Sequence, residues 1–258
     1  MAFIQTDTYT IRGYETDANG QLSIATLMNW MQESANRNAL QYGIGMADLR
    51  QYGIGWMLMR FRLTVHQYPR YGDLVQVSTF PTKVEKYFIY RDFKVLAQDG
   101  QLLAEAASTW VTFNIERRAM IALPDFIRRL EPPTIENPLP ALPLKPGFSW
   151  PETAPVTTER TIGWHDLDTN QHTNNVSYVQ AVIESMPEAM LRSSHLRELD
   201  LFFKAECHMH DRLLVHTWLN DESALHRLTH ANDGQEVMLA RTVWVSGRNA
   251  APPPPDTT

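Results

Sequence analysis

Two segments of the chain carry apolar residues at the three- and four-residue spacing of an amphipathic helix. The first segment follows Ser23, and its apolar positions are Leu27, Met28, Met31, Ala35 and Ala39. The second follows Asn174 and Asn175, and its apolar positions are Tyr178, Val179, Val182 and Ile183. Serine and asparagine are favoured at the N-cap of a helix. The pattern therefore predicts two helices, each beginning just after one of these polar residues.

Each predicted helix has one short strand before it and four longer strands after it. The strands predicted in the first half are 8–14, 56–65, 74–81, 87–97 and 101–115. Those predicted in the second half are 158–164, 199–207, 212–219, 224–231 and 236–245. Asp-Gly pairs at 99–100 and 233–234 indicate tight hairpin turns. One helix with an antiparallel sheet, twice over, predicts an α+β fold.

The two halves of the sequence also align with each other. Residues that recur unchanged 151 positions later are Thr10, Ile11, Asp17, Asn19, Glu33 and Ser34. Farther along, Asp99, Gly100 and Trp110 recur 134 positions later, which indicates shorter loops in the second copy. A repeat of this length is typical of a duplicated domain rather than a solenoid.

Prolines mark the boundary between the two copies. Eight of the 16 prolines lie between residues 132 and 155, where they favour an extended linker over a sheet interior. Four more, at 252–255, indicate a disordered tail. The predicted organisation is a first domain at 1–130, a linker at 131–156, a second domain at 157–248 and a tail at 249–258.

Composition and charge narrow the function classes. The chain is 43% hydrophobic and 20% charged, which is typical of a globular protein. No apolar run reaches the roughly 18 residues of a membrane helix, and no secretory signal begins the chain, so we expect a cytoplasmic protein without a membrane span. The net charge of -6 argues against nucleic-acid binding. Cys207 is the one cysteine, which excludes an internal disulfide and a multi-cysteine zinc finger.

An acid, an amide and an imidazole alternate just ahead of the second predicted helix, at Asp168, Asn170 and His172. Such groups could converge on one point and move a proton. A polar turn that caps the helix is the alternative interpretation. Comparison of the two copies favours catalysis: the first copy has Gln21 opposite His172 and Gln67 opposite Glu206. The sequence therefore predicts a working site in the second copy and a degenerate one in the first.

Residues 168–178, DTNQHTNNVSY, with Glu184-Ser185 after them, resemble the active-site segment of acyl-ACP thioesterases, as does KAEC at 204–207. The resemblance covers both copies and implies a tandem hot-dog fold, in which each domain is a long helix wrapped by an antiparallel sheet. It implies hydrolysis of fatty acyl-ACP, with acyl carrier protein as the partner. Plant members carry a transit peptide that this sequence lacks, so we expect a bacterial form.

The same resemblance places Asp168, Asn170, His172 and Glu206 at the family's catalytic positions. Either carboxylate could activate a water with the help of His172, and a covalent acyl-Asp168 intermediate stays open. The Asn170 amide, or N–H groups at the start of the following helix, could bind the thioester oxygen. We expect no metal or cofactor. Cys207 matches a cysteine once considered the nucleophile, a role we disfavour.

Several alternatives stay open at this stage. A triad of Cys207, His172 and Asn170 is possible, but a lone cysteine on a strand is more often a small buried hydrophobe. His208 and His210 would alternate if they lie on a strand and could then bind a metal, although a solvated face is favoured. Hydrolysis of acyl-CoA, another hot-dog reaction such as hydration, or acyl binding without catalysis are the other functions.

An acidic carrier needs a basic docking surface on this acidic protein. The residues we assign to that surface are Arg117, Arg118, Arg128 and Arg129. The acyl pocket is expected mainly in the first domain, with candidate wall residues Trp30, Met31, Met57 and Met59. A homodimer is left open.

Overall fold

The first half of the chain builds six strands and three helices. The strands are β1 (Gln5–Thr10), β2 (Ile54–Val65), β3 (Leu74–Val84), β4 (Ile89–Ala97), β5 (Leu102–Asn114) and β6 (Ala119–Ile121). The helices are α1 (Ile24–Gln41), α2 (Met46–Arg50) and α3 (Asp125–Arg128). This computed structural model describes residues 2–247. The predicted tail, with its four prolines, lies outside the described residues.

The second half repeats the pattern with shorter connections. Its strands are β7 (Val156–Thr161), β8 (Ser194–Phe203), β9 (Arg212–Asn220), β10 (Ser223–His230) and β11 (Glu236–Ser246). Its helices are α4 (Asn175–Glu184) and α5 (Glu188–Ser193). A single 3₁₀ turn precedes the main helix in each half, at Gly13–Glu15 and at Trp164–Asp166.

All strands join one antiparallel sheet with a repeated order. The path is β1-β3-β4-β5-β2-β8-β11-β10-β9-β7, and β6 pairs with the end of β5. The strand order is the same from either edge inward, so the two halves are related by a pseudo-twofold axis. The axis passes between β2 and β8, where Arg60 pairs with Phe202 and Thr64 with Glu198.

The main helices begin where the sequence predicts. Ser23 Oγ accepts the Thr26 N–H at 3.1 Å, and Asn174 Oδ1 accepts the Val176 N–H at 3.0 Å, so both are N-caps. The apolar faces of α1 and α4 share one hydrophobic core with the inner face of the sheet. Both helices therefore lie against the same sheet face, with the two halves sharing that core.

The proline-rich linker crosses the opposite face of the sheet. Phe61 and Leu63 on β2 point into the core, so Arg60, which directly precedes Phe61, points to the other side. There Arg60 Nη1 donates to the Pro143 carbonyl at 2.8 Å. Farther along, the Arg227 guanidinium lies 4.5 Å from the Trp150 ring centroid. Polar and cation–π contacts thus attach the linker to the sheet. The domain boundaries at 130/131 and 156/157 stay predictions.

The strand predicted at 199–207 ends earlier than expected, as do those predicted at 8–14 and 158–164. β8 stops at Phe203, because the N–H groups of Lys204 and Ala205 both point at the Val237 carbonyl and the ladder cannot continue. The prediction that His208 and His210 alternate on a strand is therefore wrong, and His210 has a φ of +73° in the left-handed region. Within residues 2–247, no helix has both the length and the apolar character to cross a bilayer.

Candidate active site

The loop before α4 is organised around one carboxylate. Asp168 Oδ1 accepts the backbone N–H groups of Asn170 at 2.8 Å and His172 at 3.1 Å. Asp168 Oδ2 accepts from Asn170 Nδ2 at 3.2 Å, and the Asp168 N–H donates to the His172 carbonyl at 2.8 Å. These bonds use most of the acceptor capacity of Asp168, and they hold Asn170 and His172 on the same side of the loop.

Glu206 meets this loop from the connection between β8 and β9. Its Oε1 lies 3.4 Å from His172 Nδ1, and its Oε2 accepts from Arg118 Nη2 at 2.9 Å. The His172 and Glu206 side chains are each close to 30% exposed, so water and substrate can reach both. An imidazole and a carboxylate in contact at a solvent-accessible position can together accept and return a proton.

Hydrogen bonds between remote segments fix the position of Glu206. The N–H and hydroxyl of Thr173 both donate to the Cys207 carbonyl, at 3.0 and 2.8 Å. The Cys207 N–H donates to the Tyr178 hydroxyl at 2.8 Å. The backbone on the C-terminal side of Glu206 is therefore tied both to the 168–173 loop and to α4.

The first half of the chain completes the site. Arg50, the last residue of α2, donates from Nη2 to Asn170 Oδ1 at 2.6 Å. Gln32 on α1 donates to Asn174 Oδ1 at 3.3 Å and accepts from Asn175 Nδ2 at 3.1 Å. Sequence reasoning missed Arg50 because α2 is too short to show a periodic pattern. It assigned Arg118 to carrier docking, whereas Arg118 also contacts Glu206.

A cavity of about 810 Å³ opens from these polar groups into the first half. Asp168, Asn170, His172 and Glu206 all line it. The apolar wall includes Trp56, Met57, Leu58, Ile89, Trp110 and Phe113. Of the predicted wall residues, Met57 lies there, while the Trp30 ring instead stacks on Tyr9 with centroids 4.4 Å apart. An apolar cavity with a polar, ionisable end suits a substrate with a hydrophobic chain and a reactive head.

The corresponding loop of the first half has the same backbone turn. Asp17 Oδ1 accepts the N–H groups of Asn19 at 2.8 Å and Gln21 at 3.1 Å, as Asp168 does in the second half. Here, however, Asn19 Nδ2 donates to the Leu191 carbonyl of α5 at 2.9 Å. Burial raises the pKa of Asp17. The first-half loop thus retains the fold of the second-half loop but lacks its imidazole and glutamate.

Cys207 has the environment of a buried thiol. Burial raises its pKa to about 12, which disfavours the thiolate that a nucleophile needs. The structure places His230, rather than His172, beside the sulfur, with Nε2 3.8 Å from Sγ. The His208 ring lies against His172 with centroids 5.2 Å apart, so His208 adjoins the site in a way that its predicted strand position did not suggest.

Comparisons with known proteins agree with this geometry. The family model for the N-terminal domain of acyl-ACP thioesterases matches residues 4–130, and the model for the C-terminal domain matches residues 151–246. A chloroplastic palmitoyl-acyl carrier protein thioesterase from Cuphea hookeriana is 30% identical over 92% of this chain. The match covers 61% of that relative, so the chain spans about three fifths of its length.

Two solved structures show the same fold. The 12:0-ACP thioesterase from Umbellularia californica has a TM-score of 0.80 at 27% identity, over 95% of this chain and 98% of that one. An acyl-ACP thioesterase from Bacteroides thetaiotaomicron has a TM-score of 0.79 at 23% identity, over 94% and 98%. The predicted α+β tandem hot-dog fold is confirmed.

Proposed function

The chain belongs to the acyl-ACP thioesterase family, and from that premise we propose that it hydrolyses fatty acyl-ACP to a free fatty acid and the carrier protein. The observation that carries this proposal is the contact between His172 and Glu206 at the polar end of an apolar cavity. The acyl chain would lie in the cavity with its thioester beside this pair.

We assign the role of general base to Glu206 acting with His172. Asp168 already accepts two backbone N–H groups and the Asn170 amide, so its lone pairs are directed into its own loop. A water held by Glu206 and His172 attacks the thioester carbon and gives them its proton. The tetrahedral intermediate then breaks its C–S bond, and the carrier leaves as a thiolate that takes the proton back from His172. A thiol pKa near 8.5 makes the carrier a good leaving group.

The negative charge on the thioester oxygen needs donors near Asn170. Arg50 fixes the carboxamide by occupying Oδ1, and one hydrogen of Nδ2 goes to Asp168. We assign the second Nδ2 hydrogen to the developing oxyanion, together with the backbone N–H of Asn175, the first residue of α4. In this arrangement Asp168 orients the Asn170 carboxamide, which donates to the oxyanion, and Glu206 accepts the proton of the water.

The cellular location and the oligomeric state of the protein are also proposals. We place the protein in the cytoplasm, in line with the sequence-based expectation. We also keep a homodimer as a proposal, because the sheet ends in the two short edge strands β1 and β7, whose unpaired backbone groups offer a surface for a second copy. Light scattering over a range of protein concentrations tests the dimer.

The proposed function is tested by thiol release from a panel of acyl-ACPs, measured side by side for the wild type and three variants. Glu206→Gln keeps the shape of the side chain but removes the base, so we expect a fall in kcat of about 10²- to 10⁴-fold. Cys207→Ala should keep most of the activity. Gln67→Ala is the matched control, because it changes the equivalent position in the degenerate half.

The other outcomes separate the alternatives. Loss of activity in Cys207→Ala alone would indicate that the Cys207 thiol is the nucleophile. Activity of the wild type on acyl-CoA but not on acyl-ACP would show that the substrate is an acyl-CoA and not an acyl-ACP. Binding of acyl-ACP without thiol release from any thioester would indicate an acyl-binding protein instead of an enzyme.

A further inference from the structure

Three side chains of different chemistry meet directly behind Glu206. Within residues 2–247, the thiol of Cys207, the carboxylate of Asp211 and the imidazole of His230 have ligand atoms that all lie within 4.8 Å of one another. Cys207 and Asp211 belong to the connection between β8 and β9, and His230 ends β10. The cavity described above is lined by none of these three residues, so the proposed hydrolysis does not use them.

The distances between the ligand atoms approach those around a tetrahedral metal ion. His230 Nδ1 lies 3.9 Å from Cys207 Sγ and 3.8 Å from Asp211 Oδ2. With the usual zinc–sulfur, zinc–nitrogen and zinc–oxygen bond lengths, a tetrahedral site requires about 3.6 Å between sulfur and nitrogen and about 3.4 Å between nitrogen and oxygen. These two pairs need to contract by a few tenths of an ångström, and the sulfur-to-carboxylate distance, which is within 4.8 Å, must contract to about 3.6 Å.

The surroundings already orient each ligand. His230 Nε2 lies 3.1 Å from the Glu206 carbonyl oxygen, which can only accept, so Nε2 carries the proton and Nδ1 keeps its lone pair for a metal. Asp211 Oδ2 accepts the His208 N–H at 2.7 Å. The Cys207 backbone is held by the Tyr178 hydroxyl. Metal-binding histidines usually have such a hydrogen bond on their second nitrogen.

Burial and charge also fit a divalent cation. The Cys207 side chain is fully buried, whereas Asp211 and His230 keep exposed fractions of 29% and 15% that let an ion enter from solvent. One thiolate and one carboxylate balance a charge of +2. A mixed set of sulfur, nitrogen and oxygen ligands matches the preferences of Zn²⁺.

We propose that Cys207, Asp211 and His230 bind a Zn²⁺ ion, with water as the fourth ligand. On binding, bonds form from the metal to Sγ, Nδ1 and a carboxylate oxygen, and the thiol proton leaves to solvent. No electron is transferred. The ion connects the segment that carries Glu206 to the end of β10, so its role is to stabilise the position of that segment.

The test uses Co²⁺ as a spectroscopic substitute for Zn²⁺ on the full chain, after treatment with a chelator. We expect one equivalent of Co²⁺ to produce a sulfur-to-cobalt charge-transfer band together with the intense visible bands of a tetrahedral site. Zn²⁺ should then abolish both. Because an ion that binds only the folded state stabilises it, a Zn²⁺ concentration 100 times the Kd should raise the Tm by about 5 °C.

Variants assign the site. Cys207→Ser should remove the charge-transfer band, and His230→Gln and Asp211→Asn should each weaken Co²⁺ binding at least about 100-fold. His165→Gln is the matched control, because it removes an exposed histidine of the same half and should bind Co²⁺ as the wild type does. Circular dichroism of the chelator-treated variants confirms that each is folded, and Asp211→Asn serves if His230→Gln is not.

Two results would overturn the proposal. One is a folded wild type that shows no saturable band at millimolar Co²⁺. The other is a folded His230→Gln or Asp211→Asn variant with wild-type affinity, since the thiol would then bind cobalt without the other two ligands. Both results are independent of thioesterase activity, so the metal proposal and the proposed function can fail separately.

Discussion

At the scale of single residues, one backbone turn serves two purposes in this chain. Asp17 and Asp168 each accept two backbone N–H groups and so build the same loop. The difference lies in the asparagine two positions later. Asn19 donates its amide to the α5 carbonyl of Leu191, whereas Asn170 donates its amide to Asp168 and accepts from Arg50. The contacting group on the opposite half, a carbonyl for Asn19 and a guanidinium for Asn170, therefore sets the orientation of each carboxamide.

Arg50 should accordingly affect catalysis more than stability. Arg50→Met removes the donor that holds Asn170 Oδ1 and lets the carboxamide rotate, so we expect kcat to fall about ten-fold or more. The Tm should change little, because the pair is exposed. Steady-state kinetics on acyl-ACP and a thermal melt measure the two effects. The matched control is Arg192→Met on α5, which should leave kcat unchanged, and equal kinetics for both variants would contradict the role of Arg50.

At the scale of elements, local signals were enough to predict the two main helices, α1 and α4, and the two Asp-Gly hairpins. Ser23 and Asn174 cap their helices by bonds to residues only two or three positions away, and both Asp-Gly pairs form turns. The end of β8 depends instead on the Val237 carbonyl of a distant strand, which no local pattern contains. Arg50 and Asn170 are 120 positions apart, so their contact also lay beyond sequence reasoning.

A hydrogen bond to a buried aspartate, Asp92, holds the proline-rich linker against the sheet. Asp92 on β4 accepts the Leu139 N–H through Oδ2 at 2.8 Å, and the residue is only 3% exposed. Burial raises the pKa of Asp92 to about 6, above the value near 3.9 that it has in an unfolded chain. The folded state therefore binds this proton more tightly than the unfolded state. The free energy of unfolding should fall as the pH rises from about 4 to about 6.

Asp92→Asn should remove this pH dependence. Asparagine keeps an oxygen for the Leu139 N–H but carries no charge, so the variant should be more stable than the wild type above pH 6, by up to roughly 2–3 kcal/mol. The difference should shrink towards pH 4. Urea denaturation of both proteins at several pH values measures it. A difference that is the same at every pH would show that the Asp92 carboxyl titrates normally in the folded state.

At the scale of the whole molecule, the two halves are joined by a buried charge. Arg60 on β2 has a fully buried side chain, and its Nη2 donates to Asp200 Oδ1 on β8. Asp200 Oδ2 also accepts from Arg62 at 2.6 Å. Desolvation lowers the pKa of Arg60, while the Asp200 carboxylate opposes that shift. The junction of the two halves therefore depends on one carboxylate that serves two arginines.

Asp200→Ala should destabilise the whole molecule by about 3–5 kcal/mol, because it leaves Arg60 buried without a counter-charge. Urea denaturation measures the loss. Glu159→Ala is the control, since it removes an exposed ion pair with Arg212 and should change the free energy of unfolding by less than about 1 kcal/mol. Equal effects of the two substitutions on the free energy of unfolding would mean that the buried Arg60–Asp200 pair stabilises the protein no more than an exposed ion pair does.

The proposed docking of a carrier protein also depends on the charge of the whole surface. The chain has a net charge of -6, so an acidic carrier must meet a local basic region. Arg117 precedes β6, and Arg128 and Arg129 lie at the end of α3. Beside them, the half-exposed rings of Tyr52 and Phe126 pack with centroids 5.2 Å apart and offer an apolar surface near the cavity.

Charge reversal at these three arginines should therefore weaken docking without changing the chemistry. For the triple variant Arg117→Glu, Arg128→Glu and Arg129→Glu, we expect the KM for acyl-ACP to rise about ten-fold while kcat changes less than about two-fold. Arg118 is left intact because its contact with Glu206 would mix the two effects. Arg212→Glu, at the start of β9 in the second half, controls for charge reversal at another exposed arginine. Because docking by opposite charges weakens as salt increases, the rise in KM should be largest at low ionic strength. If the variant and the wild type have the same KM at low ionic strength, these three arginines do not form the docking surface.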